Sequence, residues 1–148
     1  MAERVWGEEF RTTRICIDAF EKGVPRGRFY NPYMDAEQPF ESLMQLLQGM
    51  EVNLEAMAFP KAYQITRTFA PLPRVGASLA GDAPLRGKVA TFRVRILFRQ
   101  NASWQGTITW LEGKQEQSFR SVLELILLMN TALQSPNESQ ENNSKMIV

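Results

Sequence analysis

The two halves of this 148-residue chain repeat each other at a constant spacing of 79 residues. Gly27 aligns with Gly106 at this spacing, and Phe40 aligns with Phe119. The further identical pairs are Arg14 and Arg93, Ile17 and Ile96, Ser42 and Ser121, Leu46 and Leu125, Met50 and Met129, and Leu54 and Leu133. Because the offset stays constant without gaps, the sequence predicts two diverged copies of one folding unit.

Each copy carries the pattern of two strands joined by a turn. Apolar and polar residues alternate over residues 92–99, which is typical of a strand with one buried face. Residues 100–103 then predict a turn, and residues 104–111 a return strand; in the first copy the turn falls at residues 21–23. The residues predicted to face the core are Ile15, Ile17, Phe29, Phe92, Val94, Ile96, Phe98, Trp104, Ile108 and Trp110.

A helix follows each hairpin, because apolar residues recur there at spacings of three and four. These residues are Phe40, Leu43, Leu47, Met50 and Leu54 in the first copy and Phe119, Val122, Ile126, Met129 and Leu133 in the second. Pro39 suits a first helical turn and Ser118 an N-cap, so they mark the two helix starts to within a residue or two. Trp110 and Phe119 are expected to be buried anchors of the core.

The predicted fold class is α+β, an internally duplicated β-hairpin-plus-helix unit (ββα-ββα) with two helices on one face of an antiparallel sheet. We expect one pseudo-symmetric domain over residues 1–134, with repeat one at about 11–55 and repeat two at about 90–134. The linker at about 56–89 is rich in proline and glycine, although alternating apolar residues at 63–69 are compatible with a short edge strand. Residues 135–148 are polar as far as Met146 and predict a disordered tail.

The composition argues against catalysis. The chain has no histidine and a single cysteine, Cys16, which removes the commonest general base and any internal disulfide. Its glycines do not have the spacing of a phosphate-binding loop, and Ser42 and Ser121 suit a first helical turn better than a nucleophile. We therefore expect no enzyme activity, no cofactor and no metal. Without a signal-like N-terminus or an apolar run of the ~20 residues that span a bilayer, a cytoplasmic location is expected and no membrane partner.

Charge is distributed unevenly along the chain. Residues 11–30 and residues 90–111 each have a net charge of +3, whereas residues 35–55 have −5 and residues 112–133 have −1. The predicted hairpins are thus basic and the predicted helices acidic. Strand alternation places one set of side chains on the sheet face away from the helices: Arg14, Arg26, Arg28, Arg93, Arg95, Arg99, Phe20, Tyr30, Leu97, Gln105, Thr107 and Thr109.

Arginines interleaved with aromatic rings on an open sheet are the arrangement that binds single-stranded nucleic acid. The sequence therefore predicts a partner-binding surface for an anionic macromolecule, either nucleic acid or an acidic protein surface. Its residues would be Arg14, Arg28, Tyr30, Arg93, Arg95 and Arg99. The alternatives are a solvated sheet face with no ligand, a homodimer scaffold, or a protein-interaction module that inhibits a nucleic-acid-handling enzyme, as antirestriction and anti-CRISPR proteins do.

Two segments also carry a resemblance to known sequences. They are residues 98–112 followed by residues 118–126, and the earlier run Gly27-Arg-Phe-Tyr-Asn-Pro-Tyr. Together they resemble small uncharacterised proteins of gut Firmicutes over most of the chain. The resemblance implies a bacterial, intracellular protein and a place on a mobile element, and it carries no activity or functional residue with it.

Overall fold

The computed structural model describes residues 7–73 and 85–135 of the chain. A short 3₁₀ helix at Glu8–Arg11 precedes β1 (Thr12–Glu21), β2 (Val24–Tyr30), β3 (Gln38–Phe40) and α1 (Leu43–Met57) in the first half. The second half contains β4 (Ala90–Phe98), β5 (Gln105–Trp110), β6 (Gln115–Phe119) and α2 (Val122–Gln134). The predicted α+β class is confirmed.

The described strands form one antiparallel sheet of six strands in the order β3-β2-β1-β4-β5-β6. The sequence predicts two strands in each half, whereas the structure has a third in each, β3 and β6. Pro39 and Ser118, predicted to mark the helix starts, lie in these additional strands. Proline fits in β3 because this strand is at the edge of the sheet, where a missing backbone donor is tolerated.

Each helix begins later than predicted, and its N-cap is a serine three residues after Pro39 or Ser118. The hydroxyl of Ser42 accepts a hydrogen bond from the backbone N–H of Gln45 at 3.2 Å, and Ser121 does the same for Glu124 at 3.2 Å. Serine followed three residues later by Gln or Glu is a helix-start signature, because each side chain satisfies backbone donors that the first turn leaves free. Phe119 therefore ends a strand, and its predicted burial is confirmed.

One hydrophobic core joins both halves of the chain. Both helices contribute to it, and so do alternate residues of the strands that they cover. Its most buried members are Ile15, Ile17, Phe29, Phe40, Leu46, Met50, Leu54, Phe92, Val94, Ile96, Phe119, Leu125 and Met129. Trp110, predicted to be a buried anchor of the core, is only partly buried and packs against it.

Two β-bulges reverse the side-chain alternation that the sequence predicts. The pairing register shifts between Ile17 and Ala19 in β1 and between Ile96 and Phe98 in β4. An inserted residue turns every later side chain to the opposite face. Phe98, predicted inward, is consequently 55% exposed, and Arg99, predicted outward, is 3% exposed.

Phe20 is displaced in the same way. The sequence places it on the outer face beside Tyr30, but after the bulge in β1 it packs against the core. Arg99 follows the equivalent bulge in β4. The outer-face predictions for Phe20 and Arg99 are therefore wrong, and the prediction that Phe98 faces inward is wrong as well. The cause in each case is a single inserted residue, which strict two-residue alternation cannot anticipate.

The outer face of the sheet is also less open than the sequence suggests, because residues 85–89 lie across it. The N–H of Gly87 donates to the Thr91 hydroxyl at 2.9 Å, and the N–H of Val89 donates to the Ile17 carbonyl at 2.8 Å. The N–H of Lys88 donates to an Asp18 carboxylate oxygen at 3.1 Å. This segment covers the outer side of β1 near its end and leaves the middle of the sheet accessible.

The predicted edge strand at residues 63–69 is not formed, since the structure has only an isolated bridge between Ala62 and Arg99 there. Tyr63, Ile65 and Phe69 are exposed. Of the tail predicted to be disordered, residues 135–148, Ser135 forms the C-cap of α2, and residues 136–148 lie outside the described residues. Within the described ranges, neither helix is long and apolar enough to cross a membrane.

Candidate anion-binding groove

Two arginines face each other across the central strand pair of the sheet. Arg14 of β1 is the direct partner of Arg93 in β4. The row extends into the two flanking strands, where Tyr30 of β2 pairs with Arg14 and Thr109 of β5 pairs with Arg93. Like charges directly opposite each other in neighbouring strands destabilise a sheet unless a counter-charge is present. Glu37 supplies that counter-charge to Arg14, so the place where an added anion would be stabilising is beside Arg93.

A groove of about 740 Å³ lies over this row. Arg14, Tyr30 and Arg93 line it, and its other lining residues are Glu9, Thr12, Pro32, Leu85, Arg86 and Leu111. The lining thus contains three guanidinium groups and one carboxylate. Turns and the 85–86 segment wall the groove, which gives the sheet surface a concave shape suited to a ligand.

Arg14 is partly committed to neighbours within the protein. One terminal nitrogen donates to Glu37 at 2.7 Å, and the guanidinium lies 5.5 Å from the centre of the Tyr30 ring. Its Nε is buried and has no acceptor among the described residues. The side chain retains about a quarter of its accessible surface. Arg14 therefore has a fixed orientation at the edge of the groove.

Arg28 is a structural residue. It is 5% exposed, and its guanidinium pairs with Asp18 at 2.6 Å and with Glu37 at 3.1 Å. It also donates to the backbone carbonyl of Arg86 at 3.1 Å, which ties the covering segment to the sheet. The predicted exposure of Arg28 as a partner contact is contradicted by this burial. Glu37 bridges Arg14 and Arg28, so one carboxylate serves two cations.

Arg95 and Arg93 remain near the surface, with different surroundings. Arg95 is half-exposed and forms an ion pair with Glu8 at 2.6 Å. Hydrogen bonding from Arg95 holds the pKa of the Glu8 carboxyl below its usual range. Arg93 is exposed, and no acid within the described residues forms an ion pair or hydrogen bond with it. Of the predicted arginines, Arg93 is the most available to a ligand.

Arg99 belongs to a different site, on the helix side of the sheet. Its guanidinium contacts Glu51 at 3.0 Å, Glu55, and the carbonyl of Pro60 at 3.2 Å. The indole N–H of Trp104 donates to the same Glu51 at 3.0 Å. This cluster, in which Arg99 is buried and Glu55 is exposed, links the end of β4 to α1 and to the segment that follows α1. The sequence offered one hint, because Glu51 and Glu55 are one helical turn apart in α1. Their partner Arg99 could not be identified from the sequence, because only the bulge in β4 turns it towards the helices.

Cys16 has no reactive environment. It is fully buried beneath the covering segment, and its thiol donates to the Leu85 carbonyl at 3.6 Å. Burial raises the pKa of the thiol, although Arg14 and Arg28 oppose this shift. A thiol that stays protonated is a poor nucleophile.

Comparisons of this chain with protein-family models, curated proteins and solved structures found no significant match. The resemblance to small proteins of gut Firmicutes stays a prediction. The function is therefore argued from the groove itself.

Proposed function

We propose that this chain is a non-catalytic binding protein that holds a short anionic segment of a single-stranded nucleic acid in the groove over β1 and β4. The observation that carries the proposal is Arg93, an exposed arginine without an acidic partner in the described chain, directly opposite Arg14. A phosphate placed between them would give Arg93 the counter-charge that Arg14 already has in Glu37. Guanidinium groups suit phosphate because they donate two parallel hydrogen bonds.

The proposed surface is more compact than the five-arginine platform that the sequence predicts. Arg28 and Arg99 are buried with acids of their own, and Arg95 is paired with Glu8. Arg14 and Arg93 remain as the principal contacts, with Arg86 at the wall of the groove. Such a site suits one or two phosphates rather than a long stretch of backbone.

Tyr30 favours nucleic acid over other anions. Its ring lines the groove next to Arg14, so a base attached to the bound phosphate would meet an aromatic surface. Stacking of a base on an aromatic side chain stabilises single-stranded complexes by about 1–3 kcal/mol and tolerates any base. An acidic protein segment would use the same arginines but would gain nothing from stacking.

The salt dependence of binding tests this proposal. Fluorescence anisotropy would follow a labelled oligothymidylate and a labelled oligouridylate at several salt concentrations. Each neutralised phosphate on a single strand contributes about 0.7 to the slope of log affinity against log salt. We expect a slope of about 1.4, for two phosphate contacts, whereas the five-arginine surface would give about 3.5.

Matched variants locate the contact. Arg93→Ala should weaken binding and lower the slope by about 0.7, and Tyr30→Leu should weaken binding without changing the slope. Arg120→Ala is the control, because this exposed arginine pairs with Glu124 at the start of α2, outside the groove. Equal binding by Arg93→Ala and the parent protein would refute the groove. Binding of a polyglutamate peptide in the absence of oligonucleotide binding would favour the acidic-protein alternative.

We also propose that the two halves arose by duplication of a three-strand-plus-helix unit, with an approximate two-fold axis through the Arg14–Arg93 pair. In support, the bulges at Ile17 and Ile96 are 79 residues apart. The two helix-capping serines have the same spacing. Gly27 and Gly106 each lie so close to a neighbouring strand that a Cβ would overlap a carbonyl oxygen, that of Cys16 or Arg95. On this view Arg14 and Arg93 are copies of one residue.

A further inference from the structure

A second cavity lies on the helix side of the sheet, between α2 and strands β4, β5 and β6. Its volume is about 150 Å³, and Phe92, Ile108, Trp110 and Leu128 form its apolar lining. The polar residues around it, such as Gln115 and Thr131, are uncharged, as are all its lining residues. An apolar cavity of roughly this size is large enough to hold a benzene ring. The inner side of the cavity is apolar and its exposed side is polar, so it suits a small, uncharged molecule with an apolar ring.

The cavity also has an unused hydrogen-bond donor. Trp110 lines it, and the indole Nε1–H of Trp110 is buried without an acceptor among the described residues. A buried donor that has lost water and gained no partner is unfavourable. Gly113 packs so closely on this indole that a Cβ there would overlap the ring, so the β5–β6 turn holds the side chain in place. The indole is thus held in place at the wall of the cavity.

The first half of the chain satisfies the corresponding position internally. The residue 79 positions before Trp110 is Asn31, which is fully buried and donates to the carbonyls of Phe10 at 2.9 Å and Thr12 at 3.2 Å. The residue 79 positions before Ile108 is the larger Phe29. In the second half, Ile108 is smaller than Phe29, and the indole N–H of Trp110 has no acceptor among the described residues. General packing requirements do not account for that combination.

We propose that this cavity binds a small, uncharged, aromatic or aliphatic ring compound that carries one carbonyl acceptor, with the ring against Phe92 and Ile108 and the carbonyl accepting the Trp110 indole N–H. The site is separate from the arginine groove, because it lies beneath α2 on the core side of the sheet. Binding there requires no charge on the ligand and does not depend on the proposed nucleic-acid function.

The test compares two probes of nearly equal size, acetophenone and ethylbenzene, of which only acetophenone has the carbonyl. Each is titrated into the ¹⁵N-labelled full chain while the tryptophan indole N–H resonances are followed. We expect the Trp110 resonance to shift saturably with acetophenone, with a dissociation constant roughly tenfold lower than that of ethylbenzene. The Trp104 resonance should not move, because its N–H already donates to Glu51.

Two variants give the controls. Ile108→Phe places in the cavity the residue that occupies the equivalent first-half position and should abolish binding of both probes. If that variant does not fold, Ala132→Leu narrows the same cavity from α2. Trp110→Phe removes the donor and should make the two affinities equal. The proposal is overturned if neither probe saturates, if the parent protein binds both equally, or if the preference for acetophenone survives in Trp110→Phe.

Discussion

Arginines that alternate similarly along the sequence have three different environments in the folded chain. Arg93 is exposed without an acidic partner in the described residues, Arg14 and Arg95 are partly exposed in ion pairs, and Arg28 and Arg99 are buried. A buried guanidinium is tolerated only where acids and carbonyls replace its water. Both buried arginines meet that condition, each with two carboxylates and a backbone carbonyl. They contribute to the fold, and Arg93 is left for a ligand.

This difference predicts opposite outcomes for two alanine variants. Arg99→Ala should lower the free energy of unfolding by about 3 kcal/mol, because it leaves Glu51 partly buried without its cation. Arg93→Ala should change it by less than about 0.5 kcal/mol, because the side chain is exposed. Urea denaturation followed by circular dichroism measures both. Equal stability losses in the two variants would contradict the assignment of Arg99 to a structural cluster.

The same two residues show what the sequence could and could not predict. Alternation correctly placed Ile15, Val94 and Arg93, because each precedes the bulge in its strand. It failed for Arg99, which follows a bulge that no residue type announces. The counter-ions were also out of reach, since Glu37 meets Arg14 and Arg28 only through the fold of the loop between β2 and β3. A surface that looked uniformly basic in sequence is therefore largely neutralised in structure.

At the scale of elements, both helices begin at a serine N-cap, but the side chain three residues after the cap is an amide in α1 and a carboxylate in α2. The side chain of Gln45 in α1 accepts a hydrogen bond from the N–H of Glu41 at 2.7 Å. In α2 the equivalent Glu124 accepts from the N–H of Arg120 at 2.7 Å and from the Arg120 guanidinium at 2.8 Å. A carboxylate also interacts favourably with the N-terminal end of the helix dipole. The start of α2 is therefore sensitive to pH, whereas the amide of Gln45 does not titrate.

We expect the Glu124 carboxyl to titrate far below its usual range. Hydrogen bonds from the Arg120 side chain and backbone lower the pKa of Glu124 from 4.5 to about 2. Because the pKa of Glu124 is lower in the folded protein, its ionised carboxylate stabilises the fold at pH values above about 4.5. This stabilisation is lost as the pH falls from about 4.5 towards 2. Carboxyl ¹³C chemical shifts measured against pH would give the midpoint. Arg120→Ala should raise it, and a midpoint near 4.5 in the parent protein would show that the contact does not persist in solution.

At the scale of the whole molecule, the halves meet along the central β1–β4 pair and share one core. The antiparallel pairing of β1 with β4 covers Thr12 to Ile17, so the sheet is continuous across the boundary between the halves. Side chains from α1 and α2 belong to the same hydrophobic cluster. Because both halves contribute to one hydrophobic cluster, we expect a single cooperative unfolding transition.

Two buried leucines, one in each helix, test that cooperativity. Leu46 of α1 and Leu125 of α2 are 79 residues apart, and both are fully buried. Truncating either to alanine should lower the free energy of unfolding by about 2–5 kcal/mol, through lost burial and the cavity left behind. Because the core is shared, each variant should shift the urea midpoints of amide resonances in β2 and in β5 by the same amount. If Leu46→Ala shifted β2 alone and Leu125→Ala shifted β5 alone, the halves would be independent units, and the shared core would not couple them.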